Sequence, residues 1–148
     1  MNFIKNHKIV RVMNAVAAGT TSQNGSSVDM QGFNTVTFIA AFGTLTDTAV
    51  TGIKAQQSSD DGSSDTFADL EGTAKAIADT DDNKLLVLEI VKPRERYVRP
   101  VITRGTANAV IDSVIAILSN KGPGKLPITE DATVAGSELH VSPAEGTA

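Results

Sequence analysis

The chain has no cysteine and no tryptophan, a single tyrosine, and no apolar run approaching the ~18 residues that a membrane-spanning helix requires. Without cysteine there is no disulfide framework, no zinc-thiolate site and no thiol nucleophile, so stability has to come from packing and from association. Five phenylalanines and one tyrosine are too few for the stacking platforms that bind sugars or single-stranded bases. Positive charge is short as well. Lysine and arginine number 13 against 17 acidic residues, a net charge of −4, which gives no long-range attraction to polyphosphate. Neither nucleic acid nor a membrane is expected as a partner.

Catalytic patterns are missing too. There is no G-x-S-x-G elbow, no phosphate-binding loop and no H-E-x-x-H, and His7 and His140 lie near opposite ends of the chain without a hydroxyl or carboxylate to serve. No enzyme activity and no cofactor are expected. The N-terminal MNFIKNHKIVRVMNAVAAG resembles a secretory signal only superficially, because Arg11 and Asn14 interrupt its apolar stretch. A soluble protein made in the cytoplasm is the expectation.

What is present is a recurring short β-branched run bounded by Gly, Asn, Asp or Ser. With 148 residues, 41% of them apolar, the chain suffices for one domain with a real core. Strands are predicted over 9–16, 26–30, 35–42, 50–57, 84–91, 97–103 and 109–118, which makes an all-β sandwich or jelly roll. In NTVTFIAAF, Val36, Phe38, Ala40 and Phe42 share one face, with Thr35 and Thr37 outward. KLLVLEIV is apolar on both faces, which predicts a central or an interface strand. NAVIDSVIAIL has the length of a buried helix, but its β-branched content favours a strand, in which Asp112 and Ser113 mark either a bulge or a face that meets water or a neighbour. The acidic stretch 58–83 reads as an exposed excursion with short strands near Phe67 and over 74–78.

Three regions follow: an N-terminal strand or arm over 1–25, a β-sandwich over 26–118, and an extended C-terminal arm over 119–148. The last part carries three of the five prolines and lacks a strong period, so it reads either as a frayed terminus or as an arm that becomes ordered against a partner, for which Leu126, Ile128, Val134, Leu139 and Val141 are spaced as apolar anchors. Metal sites are not expected. The loop from Asp79 places oxygens as an EF-hand does, but Lys84 stands where the glycine belongs and Ile90 where the bidentate glutamate belongs. Asp60, Asp61, Asp65 and Asp69 follow no known loop spacing.

The sharpest polar feature is the basic cluster Lys92, Arg94, Arg96, Arg99 and Arg104, with Tyr97 inside it. It reads either as a solvated strand edge, guarded against pairing by charge and by Pro93 and Pro100, or as arginines placed for bidentate pairing with carboxylates of another subunit. On the second reading the partner-binding residues are Lys92, Arg94, Arg96, Tyr97, Arg99 and Arg104, joined by Leu126, Ile128, Leu139 and Val141 of the arm.

From about Asp29 to Ala148 the chain resembles a family of small virion proteins of tailed bacteriophages, usually encoded beside the major capsid protein. The resemblance rests on Gly32-Phe33 before a strand, Lys54 with Gln56 and Gln57, Asp69-Leu70-Glu71-Gly72-Thr73, Arg96-Tyr97-Val98-Arg99 and the closing His140-Val141-Ser142-Pro143. It implies a capsid decoration, or cement, protein of sandwich or jelly-roll type. Such a protein sits on the virion surface, binds the major capsid protein and bridges capsomers. Association with itself as a dimer or trimer would suit a symmetric shell. A tail or head-to-tail connector role is the alternative within the same viral setting.

Overall fold

The computed structural model describes residues 3–119, 129 and 131–137. A four-residue helix α1 (Phe3–Asn6) leads into eleven strands: β1 (Lys8–Met13), β2 (Val16–Gly19), β3 (Gln23–Asn24), β4 (Val28–Asp29), β5 (Thr35–Leu45), β6 (Val50–Ser58), β7 (Ala68–Asp69), β8 (Lys75–Ile77), β9 (Leu85–Val91), β10 (Tyr97–Gly105) and β11 (Ala109–Ser119). They form two antiparallel sheets, and the protein is an all-β sandwich. The first sheet runs β1-β11-β5-β9 with β2 also on β11; the second runs β3-β10-β6-β7 with β4 on β10 and β8 on β6.

The long strands alternate between sheets along the chain, so every connection β5–β6, β9–β10 and β10–β11 crosses the sandwich. Each crossing contains a non-glycine residue in the left-handed region: Thr48 (φ 70°), Lys92 (φ 51°) and Thr106 (φ 65°). A single left-handed residue reverses the local path of the chain, which helps turn it out of one sheet within a few residues.

Alternation fills the interior. Val36, Phe38, Ala40 and Phe42 of β5 are buried, and they meet Val98 and Ile102 of β10, Ile53 of β6, and Ile111, Val114 and Leu118 of β11. Thr37 is half-buried, but Thr35 is 1% exposed rather than outward, flanked by Ser119 and Val91 on the adjoining strands. NAVIDSVIAIL is a strand, and its pairing with β5 slips on either side of Ile111, with Asp112 projecting into solvent. The acidic excursion carries two short strands, β7 and β8.

Pro100 explains why β10 has two short neighbours instead of one long one. Lacking an N–H, it falls between β4 and β3, where Gly25 donates its N–H to the Pro100 carbonyl at 2.8 Å. A Cβ on Gly25 would lie 2.7 Å from the proline ring, so glycine permits the close approach.

Several sequence expectations change. The first region is strand, and β1 and β2 complete the first sheet; the sandwich therefore begins at Lys8. The predicted strand 9–16 is broken at Asn14 and Ala15. β9 is not central: among the described residues it borders the first sheet and pairs with β5 alone. β10 is flanked on both sides, so a guarded edge does not describe residues 97–105. Of the arm anchors, Leu126, Ile128, Leu139 and Val141 lie outside the described residues, while residues 131–137 lie along β1. There Arg11 donates its N–H to Thr133 Oγ1 at 2.9 Å, and Lys8 pairs with Asp131 at 3.5 Å.

Candidate interaction surfaces

The basic cluster separates into three kinds of residue. Arg104 points inward from β10 and is 8% exposed. Its Nε donates to the Thr21 carbonyl at 2.8 Å, and Nη1 donates to Ala17 and Ala109 carbonyls at 2.9 and 2.8 Å. Burial pulls its pKa down from the ordinary arginine value. It braces the loop between β2 and β3 against β11 and cannot face a partner, which corrects its place in the partner-binding set. Buried arginine is tolerated here because carbonyls take up the guanidinium donors.

Arg96 and Arg99 reach the surface but are held by their own chain. Arg96 makes a two-pronged pair with Asp29, Nε to Oδ1 at 2.9 Å and Nη2 to Oδ2 at 2.7 Å. That hydrogen bond, more than any other contact, holds the Asp29 carboxyl below the usual carboxylate range. Arg99 donates through Nε and Nη2 to Gln56 Oε1 at 2.9 and 2.7 Å and lies over the Phe67 ring, 4.1 Å from its centroid. Gln56 in turn donates to Asp69 Oδ1 at 2.8 Å, and Lys54 pairs with Asp69 Oδ2 at 2.7 Å. Lys54, Gln56 and Asp69 thus belong to one polar network on the outside of the second sheet. Tyr97 is half-buried beneath the Arg96 guanidinium, 5.2 Å from the ring centroid.

Lys92 and Arg94 are left. Both are exposed, and neither forms an ion pair among the described residues. With Pro93 they form a wall between two surface cavities. One, of about 490 Å³, is lined by Leu70, Glu71, Ile90 and Val91; the other, of about 400 Å³, by Phe33 and Asn34. Gln57 Oε1 lines the larger cavity and is buried without a hydrogen-bond partner among the described residues.

The outer face of the first sheet is unlike that of the second. Strand register places Ile115, Ile39 and Val87 side by side across β11, β5 and β9, and Ala41 beside Leu85. Leu85, Val87 and Val91 are 59%, 57% and 61% exposed. Only Glu89, which accepts a long hydrogen bond from Thr37 at 3.4 Å, interrupts the apolar stripe on β9. Sequence reasoning found the two-faced apolar pattern of β9 but not its place at the edge, which depends on which strands lie beside it.

The acidic loops are used for local structure. Asp60 accepts the N–H groups of Ser64 and Asp65, while Asp79 and Asp82 accept those of Thr48 and Leu45. Among the described residues no three His, Asp or Glu side chains converge as metal ligands, and no helix is long and apolar enough to cross a membrane. The chain matches no model of a known protein family and no curated protein.

Proposed function

We propose that the protein is a structural component of a tailed-phage virion, which binds the outer surface of the capsid and stabilises the shell by bridging neighbouring capsomers. The observation that carries this reading is the unlike pair of sandwich faces. Beside the second sheet Lys54 pairs with Asp69 and Arg96 with Asp29, whereas the first presents an apolar face whose border strand leads directly into Lys92 and Arg94, which hold no ion pair among the described residues. An apolar patch rimmed by charge is the usual make-up of a protein-binding surface. The resemblance of the sequence to small phage virion proteins supports the major capsid protein as that partner. Binding, not chemistry, is the activity, and the convergent polar pocket of an enzyme forms no part of it.

Burying Leu85, Val87 and Val91 against a capsid surface contributes about 1.5–3 kcal/mol for each side chain fully covered. Lys92 and Arg94 at the rim would steer association and set its salt dependence. Repetition around the shell then makes modest single contacts sufficient, because a second contact by a tethered molecule benefits from a high effective concentration.

The test is to mix the purified protein with expanded empty capsids of its own phage, then measure co-sedimentation and reconstruct the particles by electron cryomicroscopy. Regular density across the shell supports the proposal. Lys92→Glu and Arg94→Glu should weaken capsid binding at moderate salt without changing the thermal midpoint, since neither side chain holds an ion pair within the described fold. Density at the neck or tail of whole virions, with bare capsids, would move the protein to the connector class.

A further inference from the structure

We infer that the protein forms a two-fold dimer by antiparallel pairing of β9 with β9 of a second copy, joining two first sheets into one continuous sheet. This goes beyond capsid binding and holds or fails without it.

Hydrogen-bond phase shows which backbone groups are available. Lys84 accepts from the Phe42 N–H at 3.1 Å, and the Lys92 N–H donates to Asn34 at 2.6 Å, so even-numbered residues of this stretch bond towards β5. The N–H and C=O groups of Leu85, Val87, Glu89 and Val91 consequently face the open edge. No described strand pairs with them. Every other sheet border among the described residues is short or covered: residues 131–137 lie on β1, β2 is four residues long, and the second sheet is bordered by strands of two or three residues. β9 alone is a seven-residue bare edge, spanning about 24 Å, with no proline and one charge.

The edge is self-complementary in a single register. A dyad through Leu88 sets Leu85 opposite the partner's Val91, and Val87 opposite the partner's Glu89, so all four edge-facing residues enter ladder pairs. On the inner side Leu88 meets its own copy and Leu86 meets the partner's Ile90. Leu88 and Ile90 are only half-buried in one copy, because the sandwich is open along this border. Moving the dyad to Glu89 would oppose two glutamates, and moving it to Val87 would leave Val91 opposite Asn83 beyond the strand.

Charge supports the same orientation. Three aspartates and one lysine, Asp79, Asp81, Asp82 and Lys84, precede β9; three cations and one glutamate, Lys92, Arg94, Glu95 and Arg96, follow it. Antiparallel pairing brings the acidic end of each copy to the basic end of the other. Parallel addition would oppose like with like. Lys92 meets the partner's Lys84, whose charge is already balanced by Asp81. One strand pair buries less than the ~800 Å² per partner of a standard interface, so the dissociation constant should be on the order of micromolar.

The experiment is sedimentation equilibrium of the full chain from about 1 to 300 μM, the span that brackets such a constant, with two variants. Val87→Pro removes an N–H that makes no bond within one copy but two across the dyad; it should raise the dissociation constant at least about tenfold while leaving the folded spectrum intact. In a chain without native cysteine, Leu88→Cys should form a disulfide-linked dimer under oxidised glutathione. Leu85→Cys, about 20 Å from its copy in this register, should not. A wild-type monomer throughout the range overturns the inference; if its β9 edge amides are protected from exchange, another segment of the chain covers that edge. A dimer indifferent to Val87→Pro, or linked through Leu85→Cys and not Leu88→Cys, overturns it as well.

Discussion

Removing the guanidinium of Arg104 should be among the most damaging changes available outside the apolar core. Among the described residues the side chain makes three hydrogen bonds of 2.8–2.9 Å to main-chain carbonyls and no ion pair. Hydrogen bonds from a charged donor each contribute about 1.5–3 kcal/mol, and the carbonyls they satisfy lie at a junction of three chain segments. Against this stands the desolvation of the cation, the cause of its lowered pKa. We expect Arg104→Met, which retains much of the apolar stem, to lose about 2–4 kcal/mol. In a domain of this size that corresponds to a fall in thermal midpoint of about 5–15 °C. Urea denaturation measures it, with an unchanged slope indicating that compactness is preserved. Gly19→Ala provides a second perturbation of the same contact, because a Cβ there would sit 3.3 Å from Nη2. Its cost should shrink when Met already occupies position 104. A loss below about 0.5 kcal/mol for Arg104→Met would refute the reasoning, since desolvation would then cancel the three bonds.

Two further outcomes follow from local geometry. Asp29, held low chiefly by the Arg96 hydrogen bond, contributes stability present above the unfolded carboxylate pKa near 4 and lost as pH falls through its depressed folded value. Asp131 behaves in the same sense: slight burial raises its pKa, but the Thr133 N–H and hydroxyl and Lys8 together outweigh it. Acidification below about pH 4 should therefore release residues 131–137 from β1, read as faster hydrogen exchange at the Arg11 amide, and Asp131→Asn should reduce the pH dependence. Gly52→Ala would place a Cβ 2.6 Å from the Lys75 carbonyl, so β8 must move off β6, at a cost of about 1–3 kcal/mol by thermal denaturation.

Much of the sandwich was legible because its strands are written in alternation. Val36, Phe38, Ala40 and Phe42 could be assigned to the core from spacing alone, and the β-branched content of 109–118 separated strand from helix. The polar pair Asp112 and Ser113 signalled either a bulge or a polar face, and the pairing slip beside Ile111 shows the bulge. Strand order was not readable. β9 carries apolar residues on both faces, and a central strand and an edge awaiting a partner produce the same pattern. The basic cluster was misread in part for a related reason. A positive charge in sequence gives no hint of its acceptor, and the carbonyls around Arg104 are contributed by Ala17, Thr21 and Ala109, residues whose side chains carry no signal. Arg96 and Asp29 are 67 positions apart, joined only because β4 pairs with β10.

The two proposals, taken together, restrict where the protein can sit on a shell. A self-complementary edge is satisfied by one operation, a two-fold rotation through Leu88, after which no bare β9 remains. A trimer would need β9 to pair with a different strand on the next copy, yet the remaining edges of the described fold are short or covered. The dimer also sets two apolar outer faces side by side, with the basic segments at opposite ends of the joined strands. A surface with that symmetry matches two equivalent capsid sites better than three. Density centred on local two-fold positions between capsomers would therefore agree with both proposals, whereas density on three-fold axes would be compatible with capsid binding and would contradict the β9 dimer.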